Sequence, residues 1–133
     1  AIGRSVTLRI ADVMRKGDRL PTVLGETQVR ETLLAMTRAR AGSVLVVDAD
    51  GFLQGIFTDG DLRRHVSADI RVLEQPVSEV MTANPTVVSA DSFAVEIVKL
   101  LETKRVDDIP VVDRDGRAVG LVDIQDLPKF KIM

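Results

Sequence analysis

GIFTDGDLRRHV, Gly55 to Val66, reads as the end of a strand running directly into a helix. Thr58 suits the N-cap, and Asp61 stands three residues on, where its carboxylate reaches back to the cap N–H. Asp59 and Asp61 place negative charge in the first helical turn, where the helix dipole favours it. Gly60 leaves the backbone open to close approach. A helix start of this kind stabilises itself, yet its hydroxyl, carboxylate and N–H groups can also meet a ligand. The two roles coexist, because a capping oxygen keeps a spare lone pair.

The same arrangement recurs. Before it, RIADVMR (Arg9 to Arg15) has Ile10, Val13 and Met14 at helical spacing, and PTVL (Pro21 to Leu24) predicts a strand. Thr27 to Arg40 predicts a helix with Val29, Leu33 and Met36 on one apolar face, widened by Leu34 and ended at Ala41 and Gly42. SVLVVD (Ser43 to Asp48) is a buried strand, DADG a turn and FLQGIF the next strand, leading to a helix over Thr58 to Ser67. From Gln75 the order restarts: PVSEVM answers IADVM, NPTVVS answers LPTVLG, IPVVDRDG answers VLVVDADG, and AVGLVDIQDL answers LQGIFTDGDL. Asp91 to Lys104 predicts a helix with Phe93, Ile97 and Leu100 at the spacing of Val29, Leu33 and Met36. Asp48 and Asp113, Gly55 and Gly120, and Asp61 and Asp126 stand at one constant offset of 65. An ordered β-α-β-β-α unit repeated at this period is an internal duplication in the α/β class. The expected organisation is repeat 1 over 8–69, a connector over 70–75 and repeat 2 over 76–133. Each unit is too small for a good core alone, so the two are expected to pack face to face. The charged, glycine-free stretch from Ala68 to Gln75 reads as a short tether.

Composition narrows the chemistry. The 133 residues are 45% hydrophobic and 29% charged, which fits a folded globular chain. With no Cys and a single histidine, His65, thiol nucleophiles, zinc-thiolate sites and multi-His metal sites are excluded. A net charge of −2 with scattered Arg and Lys gives no basic stripe for nucleic acid. No apolar run approaches the ~20 residues of a membrane-spanning helix. No signal peptide is visible, the opening AIGRS reads as a cut from a longer protein, and a cytoplasmic setting is expected.

The duplicated unit, the PTV and VVDADG elements and GIFTDGD together resemble a tandem pair of CBS domains, a Bateman module, over Leu8 to Met133. DVMRKGDRLP, GIFTDGDLRR, PVSEVMTANP and DIQDLPKFKIM further resemble the C-terminal CBS pair of bacterial arabinose-5-phosphate isomerases, which carry a sugar-isomerase domain in front and supply Kdo for lipopolysaccharide. The resemblance implies a pseudo-two-fold pair with two related clefts, a regulatory role toward an attached isomerase and a homodimer through the pair. It also implies a regulatory ligand such as AMP, ATP, CMP or a nucleotide-sugar, with no required cofactor.

By the same resemblance, Asp61 accepts from ribose hydroxyls, and its two oxygens suit a vicinal diol. Thr58 and Asp59 sit at the helix start beside the phosphate or ribose edge. Thr22 and Val23 present backbone and an apolar wall to the base, and Ser43 and Val44 close the other side. Either Arg63 or Arg64 could neutralise a phosphate. The second cleft would use Thr86, Val87, Ile109, Pro110, Asp123 and Asp126. There Asp123 stands where Thr or Ser is expected. It can still cap, but a carboxylate repels an anion at close range. One competent nucleotide cleft, around Asp61, is therefore expected.

Plainer readings accompany these. Thr58 and Asp61 can be a capping box alone. The Asp48-Asp50-Gly51 and Asp113-Asp115-Gly116 turns lack the later ligands of a calcium loop, so β-turns are expected. Asp61 and His65 are one turn apart, but a solvated His is expected over a catalytic pair. Asp107 and Asp108 are adjacent and point different ways. No catalytic residue and no metal ligand are assigned. The competing function is an architectural dimerisation module with a vestigial cleft, favoured by any apolar surface left at Met14, Val80 and Met81.

Overall fold

The computed structural model describes residues 8–130. In chain order the elements are α1 (Ile10–Val13), β1 (Thr22–Leu24), α2 (Val29–Ala39), β2 (Ser43–Val47), β3 (Leu53–Thr58), α3 (Asp59–Ala68), β4 (Thr82–Ala83), β5 (Val88–Ser89), α4 (Val95–Lys104), β6 (Asp108–Val112) and β7 (Ala118–Asp123). Short 3-10 helices fill Gly17–Arg19, Ile70–Glu74, Val77–Glu79 and Ile124–Phe130. The β-α-β-β order predicted for each repeat is present, but the closing helix is α-helical only in the first; Ile124–Phe130 is a 3-10 helix.

The chain divides into two compact units. The front unit is Gly17–Pro85, and the back unit combines residues 8–16 with 86–130. In the front sheet, β1 runs parallel to β2, and β2–β3 and β3–β4 are antiparallel. In the back sheet, β5 is parallel to β6 and β6 antiparallel to β7. The front core joins Val29, Met36, Val44, Val46, Phe57, Val72, Val77 and Val80. The back core joins Ile10, Val13, Ala94, Ile97, Leu101, Ile109, Val111, Val122 and Leu127.

The repeats exchange their opening segments. Val77, Val80 and β4 of the second repeat complete the front unit, while α1 and Arg15 of the first repeat complete the back unit. The reason lies at the edges of β3 and β7, whose backbone groups need partners. Thr82–Ala83 pairs with Gly55–Ile56, and Arg15 exchanges both backbone bonds with Leu121, at 2.7 and 3.1 Å. The approach is close enough to require glycine on the receiving strand. A Cβ on Gly55 would sit 2.7 Å from the Thr82 carbonyl, and one on Gly120 would sit 2.7 Å from Met14 Cγ and 3.1 Å from the Arg15 carbonyl. Thus the glycines of GIFT and GLVD are places where an exchanged methionine crosses the strand.

Several expectations change. Helix α2 buries Val29, Thr32, Met36 and Ala39, so Leu34 is 49% exposed rather than part of the core face. Helix α4 begins at Val95 and buries Ile97 and Leu101, with Ala94 just before it; Phe93 is exposed and Leu100 only half-buried. The offset of 65 therefore continues through this helix, with Ile97 buried as expected and Ala94 and Leu101 taking the places expected for Phe93 and Leu100. Both helices end on an arginine in the left-handed region, Arg40 and Arg105. The expected tether is itself folded: Ile70–Glu74 forms a 3-10 helix capped by Asp69, and Val72 enters the front core. Met14 and Met81 pack against the two cores and Val80 is buried, so none of them is spare surface.

Candidate functional site

The front helix start is built as the sequence predicts. Thr58 Oγ1 accepts from the Asp61 N–H at 3.1 Å, and Asp61 Oδ2 accepts from the Thr58 N–H at 3.0 Å. Asp61 is 4% exposed although ionisable, and its second oxygen, Oδ1, takes a hydrogen bond from Arg64. Arg64, not Arg63, is thus the arginine at the site, and Asp61 takes it as partner rather than His65. The Arg64 side chain is 69% exposed, so it can leave Oδ1 at little cost.

Strand pairing brings the neighbouring residues in. Ser43 lies opposite Thr58 in the β2–β3 ladder, and the Asp59 N–H donates to the Gly42 carbonyl at 3.0 Å. Alternation along β2 sends Val44 and Val46 into the core and Ser43 to the other face. The Val44 side chain is therefore core packing, and only its backbone is left to serve a cleft. Ser43 is fully buried, and its hydroxyl has no hydrogen-bond partner among the described residues. A buried hydroxyl left unpaired costs about 1–3 kcal/mol. On β1, Thr22 is exposed and pairs with Leu45, two residues beyond Ser43, and Val23 is half-buried and pairs with Val46.

The back unit uses equivalent positions differently. Asp123 Oδ1 accepts from the Gln125 N–H at 2.9 Å, so the expected capping role survives, now at a 3-10 turn. Arg15, delivered by the exchanged segment and 8% exposed, fills the space beside it. Its Nε donates to Asp126 Oδ2 at 2.8 Å, and its terminal nitrogen reaches Asp126 Oδ1 at 3.4 Å and Asp123 Oδ2 at 3.5 Å. The hydrogen bond to Asp126 raises the guanidinium pKa above its ordinary value; burial opposes the rise, and the charges of Asp126, Asp123 and Asp108 add to it. Ile109 is core, Pro110 is buried, and Thr86 and Val87 are exposed just ahead of β5. Val87 instead borders a cavity of about 480 Å³ beside α4, with Ser89, Ser92, Lys99 and Thr103 on its wall.

The two aspartate turns are turns. Asp48 Oδ1 accepts from the N–H groups of Asp50 and Phe52, Asp113 Oδ1 from those of Asp115 and Arg117, and Gly51 and Gly116 take positive φ. The bond from Arg117, then those from Asp115 and Gly116, hold the Asp113 carboxyl below its usual range. Among the described residues no cluster of three His, Cys, Asp or Glu groups suits a metal ion. No helix among them is long and apolar enough to cross a membrane.

A family model described as the CBS domain matches residues 10–68 and again 77–130. The chain belongs to the CBS domain family. Its two matches make it a CBS pair, and the resemblance to arabinose-5-phosphate isomerases holds in the relatives. The arabinose 5-phosphate isomerase KdsD of Pseudomonas aeruginosa is 40% identical over all 133 residues of this chain, which cover 41% of that protein. The chain spans about two fifths of the length of the curated relatives it matches. Among solved structures, CBSX2 in complex with AMP aligns with a TM-score of 0.80 at 23% identity, covering 94% of this chain and 96% of that one. The CBS domain pair of protein MJ0100, solved with 5′-methylthioadenosine and S-adenosyl-L-methionine, also gives 0.80, at 22% identity over 92% of this chain and 94% of that one. These likenesses establish the fold.

Within this CBS pair, Thr58, Asp59, Asp61 and Ser43 come together at one end of the β2–β3 ladder. Of the two arginines the sequence leaves open, Arg63 and Arg64, the hydrogen bond to Asp61 selects Arg64; one participant, Arg15, escapes the sequence reading. Arg15 gave no signal, because its partners lie more than a hundred residues away in the chain.

Proposed function

We propose that this CBS pair is a regulatory module that senses a ribonucleotide-type ligand at the front unit and modulates an attached sugar-phosphate isomerase. The ligand class is an adenine nucleotide such as AMP or ATP, CMP, or a nucleotide-sugar; the isomerase is the arabinose-5-phosphate isomerase of lipopolysaccharide synthesis. The reading rests on one observation above all: the shielded Ser43 hydroxyl, without a hydrogen-bond partner among the described residues, stands across the strand pair from a helix start that carries Thr58 and Asp61. A vicinal diol would take the place of Arg64 at Asp61 Oδ1, leaving the Thr58 N–H on Oδ2 and the cap intact. Thr58, the α3 N-terminus and the displaced Arg64 would meet the phosphate. Thr22 and Val23 would border the base. The back site around Asp123 and Asp126 would stay without nucleotide. This segment would perform no chemistry of its own, and it would work in the cytoplasm as a homodimer. Ligand that binds two arrangements of the protein with different affinity is sufficient to relay occupancy.

Isothermal titration of this chain with AMP, ATP, CMP and CMP-Kdo tests the proposal. Saturable heat from at least one, lost in Asp61→Ala, is expected; silence from all four overturns it. The architectural alternative is favoured by exposed apolar side chains on the front unit, Leu24 and Leu34, and on the back unit, Phe93 and Val95. Sedimentation separates the two: a dimer indifferent to every ligand favours a scaffold, and a ligand-shifted equilibrium favours sensing.

A further inference from the structure

The carboxylates of the back unit have a tenant. Asp123 and Asp126 are both mostly shielded, and the fork of Arg15 spans them from a segment remote in sequence. Planar guanidinium meets Asp126 through two nitrogens, Nε at 2.8 Å and the terminal nitrogen at 3.4 Å. An ammonium on a lysine stem cannot reproduce that fork. The backbone of Arg15 is held as firmly, by its exchange of bonds with Leu121. Further along the same segment, Arg9 lies 4.0 Å over the Phe93 ring and donates to the Asp91 carbonyl at 2.8 Å. The exchanged segment is therefore clasped to the back unit by an arginine on either side of α1. Among the described residues no arginine of the other exchanged segment pairs with Asp61: the residue matching Arg15 is Thr82, which is exposed and pairs with Ile56 through its backbone.

We propose that Asp123 and Asp126 form a guanidinium-binding site whose resident occupant is Arg15, and that Arg15 is the residue that closes this helix start to hydroxyl-bearing ligands. Both oxygens of Asp126 already accept from the guanidinium, so a ribose diol would have to compete with Arg15 for them. The back unit is thereby committed to holding the chain's own N-terminal segment. This inference uses the back unit alone and stands whether or not the front unit binds a nucleotide.

The test is chemical rescue. Arg15→Ala should lower the thermal midpoint and speed amide exchange at Arg15 and Leu121 by ~100-fold or more, the scale expected when a buried charge pair loses one member. Methylguanidinium chloride at millimolar concentration should restore part of the midpoint in Arg15→Ala and leave the wild type unmoved, while methylammonium chloride at equal ionic strength should restore less. Equal rescue by both salts, absence of rescue, or an Arg15→Ala protein that melts with the wild type overturns the proposal. Should Arg15→Ala fail to fold, Arg15→Lys decides: a midpoint below wild type is expected, and one equal to it overturns the requirement for guanidinium.

Discussion

Asp61 and Asp126 stand at the same position of a duplicated unit, both shielded and both bonded to an arginine, but the two arginines come from different places. Asp61 caps its own helix and borrows an exposed arginine from the next turn. Asp126 is bound by a shielded arginine that arrives with the exchanged N-terminal segment. An acid whose partner is local and solvated can change partners when a new donor takes over its shielded oxygen, because water compensates the arginine that departs. An acid whose partner is remote and shielded is part of the architecture, because separating the pair strands a charge in a poorly solvated place. Duplication thus supplied two chemically similar helix starts, and the exchange of opening segments left one of them paired only with an exposed arginine of its own helix.

That contrast can be broken by substitution, and the largest effect should come from Arg15. Arg15→Met is expected to cost about 3–5 kcal/mol in urea unfolding, and adding Asp126→Asn should recover part of it by removing the stranded charge. An Arg15→Met protein no less stable than Arg64→Met would end the distinction between the two acids. Next come the crossing points. Gly55→Ala and Gly120→Ala should each cost about 1–3 kcal/mol. Both would press on a pliable methionine, but Gly55→Ala should be the worse, because its Cβ meets a backbone carbonyl at 2.7 Å, against 3.1 Å for Gly120. Thr58→Ala, which removes the cap, should cost about 1 kcal/mol by thermal or urea unfolding. Arg64→Ala should change stability by under ~1 kcal/mol and tighten binding of any nucleotide found by titration, since Asp61 Oδ1 is then vacant. Ser43→Ala is the smallest and the sharpest: stability unchanged or raised by up to ~1 kcal/mol, with weaker ligand binding. A clear loss of stability in Ser43→Ala would show that the hydroxyl serves the fold instead.

Much of this was legible in the chain because it depends on neighbours within a few residues. The capping box at Thr58 and Asp61, the aspartate turns ending in Gly51 and Gly116, and the buried runs of β2 and β6 follow from local pattern. Helix faces were less secure. The stretch from Phe93 to Leu101, apolar but for Glu96 and Lys99, supports two registers a residue apart, and only packing chose the one that buries Ile97 and Leu101. Thr32 replaced Leu34 in the core of α2 because its hydroxyl returns to the Gln28 carbonyl at 3.0 Å, which lets a polar side chain be buried.

The sequence by itself determined the duplication, the order of elements in each copy and the self-capped helix start at Asp61, since each is carried by residues close together in the chain. Tertiary structure alone decided that the opening segments change places, that Gly55 and Gly120 must lack side chains, and that Arg15 settles on Asp123 and Asp126. Those outcomes depend on which distant backbone fills an open strand edge, and no local periodicity encodes that choice.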